Sequence, residues 1–289
     1  MFSTRSLDDD LDAVREAHAP GSPVLDVDAD FETLPPASAE DLGLFVDGLS
    51  PASFPVEWLP DEAPDLLRKY AGPTFTVGLP GDGTVVRTTQ TDPQAVLVKH
   101  RAEGTPDDFL GLLIADRLVQ IGVEPAPGSL PEAVPNATLP ESFLPFFGER
   151  YRDLDAAIRR PDPDTGTSTT GMGPSDVFQI AAALFDAWVG LYTRDVFASW
   201  DGTRPRLFDA WIDAGDSLEG RLGDLAGEVA RGETDFASAT EYACSAVRHG
   251  LDLPAPFAAL DTAAYRDRGA PYAVTWAEKT VASMVDAAE

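Results

Sequence analysis

The sequence predicts an α+β fold, predominantly α: a small three-stranded antiparallel meander with flanking helices, followed by a helical bundle. Three observations carry that expectation. Between Phe75 and Arg101 apolar side chains recur at every second residue, the period of a half-buried strand. In the C-terminal half they recur every third or fourth residue, the period of an amphipathic helix. Between the two, Pro125, Pro127, Pro131, Pro135 and Pro140 crowd into Glu124–Glu141. Proline at that density continues neither a helix nor a ladder. The expected organisation is therefore an α+β unit over 1–123 with its meander near 75–101, a connector over 124–141, and a bundle over 142–289. Separate domains and one continuous domain both remain open.

Taken in order, the first helical pattern begins at Ser6, with Leu7, Leu11 and Val14 interrupted by Asp8, Asp9, Asp10 and Asp12. Leu25, Val27, Ala29 and Phe31 alternate with Asp26, Asp28 and Asp30, which reads as an edge strand with a solvated acidic face. The meander strands are expected at Phe75–Leu79, Thr84–Gln90 and Ala95–Arg101. Gly81-Asp82-Gly83 turns the first pair and Thr91–Gln94 the second. Thr105-Pro106-Asp107-Asp108 then opens a helix with an N-cap, Pro at the first position and acids at the positive dipole end. Its expected buried stripe is Leu110, Leu113, Ile114, Leu118 and Ile121. Further helices are expected over Leu139–Arg159, Ser175–Ala198, Pro205–Arg231, Asp235–His249 and Pro271–Ala287, too weak singly to stand without packing on one another.

Charge bounds the function more tightly than any motif. The 289 residues hold 49 Asp and Glu against 21 Lys and Arg, a net of -28. The excess is spread evenly, since 1–123 carry 8 basic and 22 acidic residues and 124–289 carry 13 and 27. An even excess points to the solvent rather than to one partner. In roughly molar salt the Debye length falls to about 3 Å, which screens the repulsion that would otherwise open a compact state. Only Lys69, Lys99 and Lys279 are lysines; the other cations are arginine. The composition reads as that of a salt-adapted cytoplasmic protein of a halophile. It argues against nucleic-acid and anionic-membrane partners, which need a basic face. No window approaches the length of a membrane span, and the acidic N-terminal segment is no signal peptide.

Complete catalytic sets are missing. Asp26-Val27-Asp28-Ala29-Asp30 begins like a calcium loop, but the sixth and twelfth positions are Phe31 and Ala37, where Gly and Glu are required. Gly166–Gly171 has phosphate-loop glycine spacing, but Met172 and Gly173 follow where Lys and Ser/Thr should stand. Cys244 is the lone cysteine, which excludes an internal disulfide and a cysteine metal cluster. It lies about 140° around a helix from His249, so the two cannot meet. His249 precedes Gly250 and suits a helix C-terminus. With His18 and His100 it makes no metal-ligand spacing, so no metal and no cofactor is expected.

Leu184-Phe185-Asp186-Ala187-Trp188 recurs as Leu207-Phe208-Asp209-Ala210-Trp211. On a helical wheel each Asp points nearly opposite its Trp, so both read as solvated and the repeat as packing. Asp195 instead follows Trp188 by seven residues and falls on the core stripe, where a carboxylate needs a partner. Arg150 and Arg152 are candidate mates, and the three together form a candidate anion site in the bundle. Lys99-His100-Arg101 and Arg150, Arg152, Arg159 and Arg160 are basic clusters whose simplest reading is pairing with abundant neighbours such as Asp153 and Asp155.

The run Phe146–Asp155, the Leu184–Trp200 helix and Leu253-Pro254-Ala255-Pro256-Phe257 resemble an uncharacterised protein family of halophilic archaea, a domain of unknown function. The resemblance implies origin and no activity. The functional expectation is a non-catalytic protein-interaction or structural module, as monomer or homodimer. The alternative is an enzyme or sensor holding a small anion at Arg150, Arg152 and Asp195. Whatever the function, raising potassium chloride from about 0.1 M to molar levels is expected to raise the melting temperature by several degrees. A calorimetric scan showing salt-independent melting would contradict the reading of the charge.

Overall fold

A computed structural model describes residues 1–31, 33–71, 77–78, 83–123 and 143–288. From the amino terminus, β1 (Phe2–Thr4) leads into α1 (Asp9–His18) and β2 (Val24–Val27). Next come β3 (Thr33–Leu34), α2 (Pro36–Leu42), β4 (Gly48–Leu49) and α3 (Asp65–Tyr70). β5 (Val77–Gly78), β6 (Val85–Thr88), β7 (Thr91–Asp92) and β8 (Ala95–Val98) follow, and α4 (Asp107–Gly122) closes this half. Beyond residue 143 every named element is a helix: α5 (Phe143–Phe147), α6 (Arg150–Arg159), α7 (Pro174–Ala198), α8 (Pro205–Leu222), α9 (Leu225–Ala230), α10 (Phe236–Val247), α11 (Ala263–Arg268) and α12 (Ala270–Ala288). The fold is α+β and predominantly α.

The sheet differs from a simple meander. β6 and β8 pair antiparallel as expected, from Val85↔Val98 to Thr88↔Ala95. The other edge of β8 is taken by β2 in parallel, and β1 completes a mixed sheet in the order β1-β2-β8-β6. β2 is thus interior rather than an edge strand. The cause lies in β8, whose Ala95, Val96, Leu97 and Val98 are all buried, so both of its faces and both of its edges need cover. β5 pairs with β3 instead of β6, and Thr91, expected in a turn, pairs with Leu49. Phe75, Thr76, Gly81, Asp82 and the Glu124–Glu141 connector lie outside the described residues.

Alternation along the strands sorts two layers. Val24, Val85, Val96 and Val98 face α1 and α4, while Leu25, Val27, Val86 and Leu97 face Leu34, Ala39 and Leu42. Both apolar clusters beneath the helices draw on each half of the chain. Phe197, Trp200, Leu207 and Trp211 join α1 and α4, and Leu59, Leu67 and Tyr70 join the bundle. α8 therefore spans both: Leu207 and Trp211 pack with α4, while Leu218 and Leu222 pack with the bundle.

α1 starts at Asp9 rather than Ser6, because the Asp8 carboxylate accepts from Leu11 N at 2.9 Å and caps it. The expected Leu139–Arg159 helix breaks into α5 and α6 at Gly148, whose φ of 57° no continuing helix adopts. The expected Pro205–Arg231 helix breaks between α8 and α9 at Gly223 and Asp224. α7 runs over the expected span and is the bundle's axis, with Trp188 fully buried and its indole donating to Arg266 O at 3.0 Å.

At the end of α4 a Cβ on Gly122 would stand 2.2 Å from His18 O and 2.7 Å from His18 Cα. Gly122→Ala is therefore expected to push α1 away from α4 and cost about 2–3 kcal/mol. Urea unfolding would check it; a loss within experimental error would mean the two helix ends are not in contact.

Candidate functional site

α4 carries the polar centre of the molecule. Its apolar residues Leu110, Leu112, Ile114, Leu118 and Val119 are buried on more than one face, so Asp116 and Gln120, one turn apart, are buried as well. Asp116 Oδ2 accepts from Gln120 Nε2 at 2.9 Å and from Arg248 Nη1 at 3.0 Å, and Arg117 Nη1 stands 3.4 Å from it. Arg87 alternates onto the α4 face with Val85 and donates to Gln120 Oε1 at 3.3 Å and Gln94 Oε1 at 3.2 Å. Arg117 Nε donates to Val85 O at 3.0 Å. One carboxylate thus ties β6, α4 and α10 together.

Beside this network opens a cavity of about 640 Å³. It is lined by Arg87, Arg117 and Gln120 from β6 and α4 and by Gln179, Asp186 and Glu241 from α7 and α10. Leu67, Tyr70, Phe143, Phe178 and Phe185 enclose an apolar end. The wheel placed Asp186 opposite Trp188, and so it lies, but the space there is this cavity. The Asp186 carboxyl is accessible yet crowded by protein, and its pKa is raised, chiefly by desolvation; Arg248 and Arg117 oppose that shift. No hydrogen bond or ion pair within 4 Å engages Asp186 among the described residues. Glu241 accepts from Gln179 Nε2 at 2.6 Å. Asp209 is exposed, as expected.

The residues singled out by sequence fall elsewhere. Asp195 is exposed on α7 rather than on a buried stripe. Arg150 is half-buried and Arg152 exposed on α6. No ion pair or hydrogen bond draws Arg150, Arg152 and Asp195 together, and none of them lines the cavity. Arg159 makes the expected local pair with Asp155, at 3.5 Å, and a second with Glu62. Lys99 is buried just beyond β8, and Arg101 pairs with Asp30 at 3.2 Å.

At the end of α10, Arg248 occupies the C-cap and supplies the cation that the helix dipole favours. His249 cannot, because burial first and Arg248 second pull its pKa down to about 4 and keep it neutral. Its ring stacks on Trp211, with centroids 5.7 Å apart. Cys244 is buried, its thiol pKa pushed up by desolvation, and takes no part in the cavity. Among the described residues no His, Cys, Asp and Glu cluster could hold a metal, and no helix is long and apolar enough to cross a membrane.

The molecule is thus an α+β protein with a single-carboxylate polar hub and a charged cavity at the junction of sheet and bundle. Over residues 1–284 the chain matches the model of a family of unknown function, DUF7089, and it belongs to that family. No curated protein and no solved structure shows a match.

His249 binds its proton less readily folded than unfolded, so it favours the folded state fully above its unfolded pKa near 6.5. That contribution is lost as pH falls toward about 4. His249→Phe is expected to remove on the order of 2 kcal/mol of the acid-side decline between pH 7 and pH 4. Denaturant titrations at both pH values would show it as a flatter profile than the wild type's; parallel profiles would place the acid sensitivity elsewhere.

Proposed function

We propose that this protein is a non-catalytic binder of a small amphipathic molecule, held in the cavity between α4, α7 and α10. One observation carries the reading: Asp186 presents an unengaged carboxyl, with a raised pKa, to a cavity of the size small-molecule sites have. The mixture of charged and aromatic lining suits a molecule with a polar head and an apolar body. Arg150, Arg152 and Asp195 do not line this cavity. We also read the protein as cytoplasmic and salt-adapted, of halophilic archaeal origin and without a nucleic-acid partner; its evenly spread net charge of -28 supports this.

Because the folded pKa of Asp186 lies above the unfolded one, the ionised side chain detracts from stability at neutral pH and not in acid. Asp186→Asn is therefore expected to melt above the wild type at pH 7, the gap closing as pH falls below the carboxyl's unfolded value. Paired calorimetric scans decide it. A variant that melts lower at pH 7 would show that Asp186 is structural and remove the support for binding.

A further inference from the structure

A second cavity, of about 240 Å³, opens where α4, α8 and the end of α10 meet. It shares no lining residue with the larger one. Leu112, Leu113, Phe197 and Leu218 make its lining chiefly apolar. Among these apolar side chains three buried polar atoms have no hydrogen-bond partner: Asp116 Oδ1, Trp211 Nε1 and His249 Nδ1. Buried polar atoms are seldom left so, because each has given up water without a replacement.

A chain of contacts brings the three residues together. The Trp211 ring stacks on His249 with centroids 5.7 Å apart, and the preceding residue, Arg248, donates to Asp116 Oδ2 at 3.0 Å. Trp211 is 8% exposed and Asp116 3%. Arg248 and Gln120 both engage Asp116 Oδ2, which leaves Oδ1. His249 Nδ1 is the weaker candidate of the three, since the Trp211 main chain acts on its ring. The pair that lacks a complement is therefore Asp116 Oδ1 and Trp211 Nε1.

Their chemistry defines the molecule they would take. An indole N–H only donates and a carboxylate oxygen only accepts, so the complement must accept from one and donate to the other. A hydroxyl or a carboxamide does both. Charge is constrained as well. Arg248 at 3.0 Å and Arg117 at 3.4 Å already answer the Asp116 carboxylate. A cation here would meet two guanidinium groups, and an anion would meet Asp116 itself. As to size, an apolar cavity of about 150 Å³ holds benzene. The larger volume here has room for one ring with a short polar substituent. We propose that this cavity binds a neutral single-ring molecule carrying a hydroxyl or carboxamide, which accepts from Trp211 Nε1 and donates to Asp116 Oδ1. The site is independent of the binding function proposed for the larger cavity.

Calorimetric titration of the full chain in molar potassium chloride tests this, with benzyl alcohol, benzamide, toluene, benzoate and benzylamine as probes. Nitrogen–proton correlation spectra of the indole N–H groups locate the binding, since no tryptophan lines the larger cavity. Trp211→Phe keeps a ring, removes the donor and identifies the Trp211 signal by its loss. Benzyl alcohol and benzamide are expected to shift that signal and to bind at least about tenfold tighter than the other three, about 1.4 kcal/mol. Trp211→Phe should weaken both by about fivefold. Ala214→Leu, which fills the cavity and removes no polar group, should abolish their binding. Toluene binding as tightly as benzyl alcohol would overturn the proposal by showing that the two polar atoms select nothing. Binding that leaves the Trp211 signal unmoved, or survives Ala214→Leu, would put the molecule elsewhere and overturn it too. If none of the five probes binds, the cavity serves water alone and the site falls.

Discussion

The fold turns on the Asp116 carboxylate. Taking a carboxylate out of water is costly unless it is paired and hydrogen-bonded, and this one is 3% exposed. Its partners come from three places: Gln120 one turn along α4, Arg117 next to it, and Arg248 from the distant end of α10. Arg248 reaches it because Gly190 lets α7 and α10 approach until the position of a Cβ on Gly190 lies 3.1 Å from Arg248 Cα. Removing either charge strands the other in protein, so the pair fixes the relation of sheet to bundle more through the cost of breaking it than through its net attraction. Arg87 extends the network to β6 through Gln120.

That geometry is also what leaves the cavity. With α10 drawn to α4 at one end of α7, the flank of α7 carrying Gln179, Ala182, Ala183 and Asp186 lines the cavity. Those positions follow helical spacing, so one face of the bundle's axis is given over to the opening. Most other positions of α7 between Val177 and Phe197 are buried, Asp195 being exposed.

The sequence made the helical half legible because capping, proline and glycine are local signals. α10 lies within a residue of its expected start, Asp235 capping it by accepting from Ser238 N at 2.7 Å, and α7 and α12 lie within a residue of theirs. The parallel pairing of β2 with β8 was not legible, since nothing within either strand encodes a partner 72 residues away. The site was missed for a related reason. Asp186 had the right direction on its wheel, but a wheel gives angle and not what lies there. Asp116 and Gln120 did leave a signal: Leu112, Leu113, Ile114, Leu118 and Val119 surround α4 with apolar residues, so a polar residue among them had to be buried. Asp195 shows the converse: its spacing of seven from Trp188 puts it on the stripe, yet it is exposed.

The surface charge and the cavity charge make different demands on a ligand. A net of -28 repels anions and concentrates cations at the surface, so a singly charged ligand of either sign would be sorted by the long-range field before reaching the site. In molar salt that outer field collapses over about 3 Å, whereas contacts inside a walled cavity are screened far less. Whatever the cavity admits at high salt is therefore selected by its lining rather than by the charge of the surface.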